Sequence, residues 1–471
     1  MSQGIEIELT EYEKTFVNAF ILGEFIVMGT SFISDRETNF KLNKLLVRNA
    51  LVYLQKRHPY LNAYLKIQKS ENLMHLIIPY EDRSHKIDLE WLDLTNEIVD
   101  HDKLKKELAK SNSIYFKYDN KDLLWKVQII EYLENGKFSY LINLIANLAI
   151  TDGMNICALS VEITNIINSL IDERECEEMR VKLEPLKDMY TLCKETGIFK
   201  KAHLEAIQKF NQPEFAKFIL PKEFSSEKNG FNLTFFKMNS DLTEKILAKC
   251  KLTNIRITGY LQTIFLYAIR DLYLENNLKF PQRITVEIAA SLRVRYVPNV
   301  DFSSCGFHTS VSVFSLDNEK YGNYVNFWQD AEYIHNLVQL NTSIETGSLF
   351  SISHDFKIHK EMNEIFAKNS YEEACKILNS SKVNDFVLSN LGAYINERVK
   401  ESGGKFSVNE LYCTDHTKPS FFPSIVAHVI YWKGQMMFQI GSNNLYFSEK
   451  YFDRFEKLVK ENIDKSVNFC F

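Results

Sequence analysis

The chain has 471 residues, of which 45% are hydrophobic and 25% charged, the balance of a globular protein rather than a disordered one. Lysine and arginine number 56 against 61 acidic residues, a formal net charge of -5, so no basic excess marks a nucleic-acid binder. With 9 prolines and 16 glycines, collagen-like and low-complexity architectures are excluded, and the length fits two large domains or about three of ordinary size.

The opening segment, Met1 to Lys14, is polar and acidic and lacks the basic and apolar regions of a secretory signal. The apolar run from Phe16 to Met28 is too short for a spanning helix and is broken by Glu24. The 8 cysteines are scattered, with no Cys-x-x-Cys pair, and read as reduced thiols of a cytoplasmic protein. Composition leaves peripheral contact with a membrane or lipid droplet open.

The elements then follow as alternating helices and strands. Leu42, Leu46, Ala50 and Leu54 give one apolar helix face from about Asn39, ended by Arg57-His58-Pro59, because the residue before proline is pushed out of the helical region. Leu61, Ala63, Leu65 and Ile67 alternate with polar neighbours as a strand, and Leu73 to Ile78 is its partner. Trp125, Val127 and Ile129 begin a strand that meets Asn135-Gly136, a strong hairpin signal. Phe138 to Ala146 is then an interior strand. After Asn147 to Gly153 comes a helix with Ile156, Leu159, Ile163, Ile166, Ile167 and Leu170 on one side.

Residues from about 172 to 230 are charged and mixed, a solvated crossover between two halves. A strand near Phe231 to Met238 follows, then a helix with Asp241 and Glu244 as a capping box and a second helix from Gly259 to Leu274. Further strands are predicted at Ile284 to Ile288, His308 to Phe314, Phe386 to Ser389, Ile425 to Trp432 and Met436 to Ile440, the last two joined by Lys433-Gly434. Ser448 is placed to cap a terminal helix carrying Phe452, Phe455, Leu458 and Val459.

Four segments in order resemble one superfamily: Lys56 to Ala63, Ala146 to Gly153, Ser291-Leu292-Arg293 with Gly306 downstream, and Val387 to Gly392. Together they resemble the CoA-dependent acyltransferase superfamily, which includes peptide-synthetase condensation domains. The opening Leu9-Thr10-Glu11-Tyr12-Glu13 and the Ser389-Asn390-Leu391-Gly392 segment look closest to the fungal-type alcohol O-acetyltransferases. The resemblance implies an α/β fold of chloramphenicol-acetyltransferase-like or condensation-domain-like type, with two lobes of mixed sheets and helices and a tunnel between them. The lobes are expected at 1–175 and 231–471, with a crossover linker at 176–230.

The family motif, His-His-x-x-x-Asp-Gly, carries its general base on the second histidine. Laid on this chain, its Asp is Asp152, its Gly is Gly153, and the two histidine positions fall on Asn147 and Leu148. Leucine cannot accept a proton, and a positioned general base contributes about 10²–10⁴-fold. Proximity in a closed tunnel, worth about 7–11 kcal/mol, survives that loss, and an amine entering deprotonated suffers least. The resemblance further implies a structural salt bridge from Asp152 to Arg293, with Arg295 as the alternative, and a tunnel or donor-binding segment at Ser389, Asn390 and Gly392, where glycine permits close backbone approach. Each has a bland alternative: a plain turn at Asp152-Gly153, a tight turn after a strand at Ser389 to Gly392, and for Asn147 a bond to a backbone group at the strand end rather than an oxyanion contact.

His58 reads as a structural histidine at the helix-to-strand junction. His308 and His428 are either relocated bases or hydrogen-bonded core histidines, and His354 and His359 read as surface residues. No metal-ligand cluster, phosphate loop, dinucleotide fingerprint or nucleophile elbow is present. The expected activity is transfer of an acetyl group from acetyl-CoA, a co-substrate and not a bound cofactor, to a small alcohol or amine. The alternative is a catalytically degenerate relative that binds a ligand or partner. A monomer is expected. An attached adenylation or carrier module is not expected, which argues against a carrier-dependent condensation domain.

Overall fold

A computed structural model describes residues 4–21, 25–35, 40–68, 73–111, 121–198, 220–226, 230–296, 298, 300–317, 326–343, 356–369, 373, 377, 386–417, 423 and 425–468. The longest hairpin of the first half forms where the sequence turns at Asn135-Gly136, both at positive φ (51° and 76°), the conformation of a primed two-residue turn. It joins Trp125–Glu134 (β6) to Lys137–Ala146 (β7) in an antiparallel pair. Around it stand Phe25–Asp35 (β2), Leu89–Asp93 (β5) and Phe406–Thr417 (β12), giving a five-stranded sheet in the order β12-β2-β7-β6-β5. A smaller sheet, β1-β4-β3, combines Gly4–Glu8 (β1), Tyr64–Gln68 (β3) and Leu73–Pro79 (β4). Leu61 lies ahead of β3 in a 3₁₀ turn at Pro59–Asn62, and Ala63 caps it, so the strand starts later than the alternation predicts.

The second half builds a six-stranded mixed sheet in the order β10-β9-β11-β13-β14-β8. Its members are Phe231–Lys237 (β8), Arg283–Ser291 (β9), Thr309–Asp317 (β10), Phe386–Gly392 (β11), Ile425–Trp432 (β13) and Gln435–Asn443 (β14). β11 runs parallel to both β9 and β13. One face packs on a core of its own that includes Tyr260, Phe265, Leu388, Phe438 and Phe455. This is the two-lobed α/β fold expected from the four segments. The linear boundaries at 175 and 230 do not divide the sheets, however: β12, from the second half, pairs along its whole length with β2 of the first, Phe406 opposite Asp35 and Cys413 opposite Gly29.

Twelve helices lie among the described residues: Glu11–Ile21 (α1), Lys44–Arg57 (α2), His101–Ser111 (α3), Gly153–Ile171 (α4), Glu177–Arg180 (α5), Met189–Glu195 (α6), Ser240–Leu252 (α7), Ile257–Glu275 (α8), Phe327–Asn341 (α9), Phe356–Lys368 (α10), Tyr394–Arg398 (α11) and Glu449–Asn468 (α12). α2 starts after Asn43, whose side chain accepts the Leu46 N–H, five residues beyond the expected start. α7 is capped by Asn239, not by the pair Asp241 and Glu244: the Asn239 side chain accepts from Leu242 N–H at 2.8 Å. α4 alone among the described helices has the length and apolarity to cross a membrane, and it is buried in the first core instead.

His58 joins α2 to α4. Its Nε2 lies 2.7 Å from Glu162 Oε2, and Arg57 Nε lies 3.4 Å from the same oxygen. Burial opposes charge on His58, but the Glu162 carboxylate and Cys305 overcome it and raise the pKa to about 10. The folded pKa exceeds the unfolded value of about 6.5, so this stabilisation is complete below about pH 6.5 and is lost as pH rises toward 10. Urea unfolding midpoints are expected to fall between pH 7 and 10 in the parent chain, and His58→Gln is expected to flatten that fall. An equal slope in both proteins rules the pair out as its origin.

Candidate active site

The turn after β7 is built by its own polar atoms. Asn147 is fully buried, its Oδ1 accepts the Ala149 N–H at 2.6 Å, and its carbonyl accepts the Ile150 N–H. This is a backbone-satisfying role, and Asn147 is not among the residues that line the cavity described below. The turn delivers Asp152 to the start of α4, where Oδ1 caps the helix by accepting the Asn155 N–H at 2.9 Å.

Asp152 Oδ2 faces the other lobe. It accepts from Arg293 Nε at 2.8 Å and from the His308 backbone N–H at 3.0 Å. Both charged side chains are wholly buried. The remaining Arg293 donors reach the carbonyls of Asp301, Ser304 and Gly306, so the guanidinium clamps the 301–306 loop while the carboxylate holds it in place. Arg295 takes no part in this pair.

A cavity of about 380 Å³ opens between the lobes. Tyr12 and Phe16 of α1, Leu148 of the turn, and Gly153 and Met154 of α4 line the first-lobe side. Ala289 and Ser291 of β9, Ser389 and Asn390 of β11, and Val426 and His428 of β13 line the other. Leu148, where the resemblance places the motif histidine, thus faces the cavity with an apolar side chain. A Cβ added at Gly153 would meet Cys413 Sγ at 3.4 Å and Leu391 at 3.5 Å, ordinary van der Waals contact.

Asn390 both lines the cavity and organises its wall. Its Nδ2 donates to Thr258 Oγ1 at 2.9 Å, and its Oδ1 accepts the Gly392 N–H at 3.0 Å. Gly392 stands outside the lining, and nothing approaches its added Cβ nearer than 3.7 Å. What requires glycine there is a φ of +61°, in the left-handed region, and not the close backbone approach expected from the sequence.

The histidines separate by location. His308 Nδ1 lies 3.0 Å from the Tyr296 hydroxyl, and burial together with Arg293 holds its pKa well below the usual value; it is a core histidine. His359, expected at the surface, is buried on α10, lines the cavity, and has Nδ1 3.2 Å from Thr15 Oγ1. His354 lies outside the described residues. His428 is 3% exposed and lines the cavity, with Nε2 3.4 Å from Asp415 Oδ2 on β12.

Two cationic side chains stand at the cavity margin. Arg256 precedes α8 and Arg295 follows β9; neither pairs with a carboxylate among the described residues, and Arg295 Nε is buried without a partner. Burial, with the neighbouring Arg256 charge, holds the Arg295 guanidinium below its ordinary pKa, against the opposing pull of Tyr394. No cluster of three or more His, Cys, Asp or Glu side chains suited to a metal ion occurs among the described residues.

The α1 wall escaped the sequence reading, although its signal was present. Thr10 and Glu13 form a reciprocal capping box, Thr10 N–H to Glu13 Oε2 at 2.8 Å and Glu13 N–H to Thr10 Oγ1 at 3.3 Å. Burial, despite the bonds from Thr10, raises the Glu13 carboxyl to about 7.

No family model matches the sequence, and no curated protein matches it. Solved structures do match the fold. The trichothecene 15-O-acetyltransferase of Fusarium sporotrichioides superposes with a TM-score of 0.69 at 11% identity, covering 98% of this chain and 95% of its own. The epimerization domain from the third module of tyrocidine synthetase B gives 0.66 at 13% identity over 99% and 98%. The first condensation domain of the CDA synthetase gives 0.66 at 10% identity over 99% and 97%. At these identities the likeness establishes the fold alone.

Proposed function

We propose that this chain transfers an acetyl or short acyl group from acyl-CoA to a small alcohol or amine, in the manner of the alcohol O-acetyltransferases that its sequence resembles. The observation that carries the reading is the position of the cavity. It lies between the lobes where the Asn147–Gly153 segment meets the strand bearing Ser389 and Asn390, the two segments that the resemblance places around acyl donor and acceptor. Its lining of alanine, leucine, valine and phenylalanine suits an apolar acceptor. Arg256 and Arg295, lacking carboxylate partners, suit the phosphates of a CoA. A cytoplasmic location, reached from a membrane or lipid droplet by an apolar acceptor, is part of the proposal.

Purified protein is expected to release free thiol from acetyl-CoA only when an alcohol or amine of medium or long chain is present. Arg295→Ala is expected to raise the KM for acetyl-CoA about 10- to 100-fold, the loss of one charge-assisted bond at about 1.5–3 kcal/mol. Silence with every acceptor, with acetyl-CoA bound, sinks the transferase reading. The second reading is a binding protein that keeps the cavity without the chemistry. Leu148 favours it, because an apolar side chain stands where the family has its base, and its mark is ligand binding without thiol release.

A further inference from the structure

Leu148 leaves the position where the resemblance expects a base apolar, and the second lobe holds a histidine whose surroundings fit that task. Ala289, Ser389, His428 and Gln439 are register partners across β9, β11, β13 and β14, so their side chains project from one face of the sheet. The first three line the cavity. His428 Nε2 is 3.4 Å from Asp415 Oδ2, on the strand that crosses into the first lobe's sheet, and Asp415 lines the cavity too. His428 Nδ1 is buried with no hydrogen-bond partner, as are both amide atoms of Gln439.

Nδ1 is sealed from the cavity and the 3.4 Å approach to Asp415 is a charge contact without hydrogen-bond geometry, so neither ring nitrogen is engaged and Nε2 is the one open to a ligand. His308, by contrast, has its Nδ1 engaged by Tyr296, and His359 has its Nδ1 within reach of Thr15.

We propose that His428 is the general base of the transfer and Asp415 its positioning residue, an inference that rests on the acyl-transfer reading above. The acceptor O–H or N–H gives its proton to Nε2, beside the Asp415 carboxylate, as the oxygen or nitrogen bonds to the thioester carbonyl carbon. The tetrahedral intermediate then expels CoA thiolate as the C–S bond breaks, and the imidazolium returns the proton to that sulfur. The products are an ester or amide and free CoA thiol, with nothing else consumed. Because Asp415 and His428 lie on different sheets, the base is correctly set only when the two lobes are in register.

The test compares parent, His428→Gln, His428→Ala and Asp415→Asn, each as the full chain with acetyl-CoA and the acceptor panel, with thermal melts as a check on folding. His428→Gln, close in size, guards against collapse of the alanine variant. Both His428 variants are expected to lose about 10²–10⁴-fold in kcat, with acetyl-CoA KM within threefold of the parent. The loss is expected to be greater for alcohols than for amines assayed above their own pKa, a split that a structural defect would not produce. Asp415→Asn is expected to lower kcat and leave KM in place. If the parent is active and both His428 variants stay within threefold of it, this assignment falls while acyl transfer stands. If the parent binds acetyl-CoA but releases no thiol with any acceptor, both fall.

Discussion

Replacing Asp152 by alanine is expected to destabilise the chain by about 3–5 kcal/mol, the cost of stranding one partner of a buried ion pair. The guanidinium of Arg293 is wholly buried and its other donors are committed to the carbonyls of Asp301, Ser304 and Gly306, so it cannot swing out to water. The substitution also removes the cap of α4, worth about 1 kcal/mol, and the acceptor of the His308 N–H. Asp152→Asn separates the contributions. Asparagine caps as well as aspartate does, so this variant is expected to keep the helix cap but turn an amide NH2 toward the Arg293 and His308 donors, losing both the charge and their acceptor and falling close to alanine. Urea denaturation with a common m-value measures all three. An alanine variant that unfolds at the parent's midpoint would show that the pair carries no stability.

The second large effect concerns the empty motif position. In a His428→Gln background, Leu148→His is expected to recover activity by at least tenfold, because residue 148 already lines the cavity and a general base there is worth about 10²–10⁴-fold. The change puts a polar ring where a 5% exposed leucine packs, so some stability is expected to be lost. Thiol release by the double variant and by His428→Gln, at saturating acetyl-CoA, is the comparison. Recovery places the motif alignment on Leu148. No recovery in a folded, acetyl-CoA-binding double variant removes that alignment, since the ring would then face the cavity without reaching the acceptor.

Periodicity exposed the elements that bury one stripe or stand inside a sheet. Ile156, Leu159, Ile163 and Ile166 marked α4, and Asn135-Gly136 marked its hairpin because only a few residue types accept two successive positive φ angles. β12 was not legible. Its alternation changes phase at the irregularity between Val408 and Glu410, so Phe406 and Val408 lie in one register and Leu411 and Cys413 in another. β2 was hidden because Gly29, Thr30 and Ser31 interrupt its apolar run, although Thr30 and Ser31 are buried and Thr30 is paired to Asn143. The local motif residues, Asp152 and Arg293, could be named from order along the chain. His359 and the pairing of His428 with Asp415 could not, because each depends on which faces meet across the lobes, a long-range property with no signature in neighbouring residues.

The passage of β12 into the first sheet has a consequence for how the molecule is made. Asp35 pairs with Phe406, so the edge of β2 is synthesised long before its partner. At about 5–20 residues per second, that edge waits roughly 20–75 s on the ribosome with its backbone donors and acceptors unpaired. An exposed apolar edge of this kind invites pairing with other chains. The nascent chain is therefore a natural client for chaperones until its last quarter emerges, and a fragment ended at residue 230 would carry the same open edge permanently.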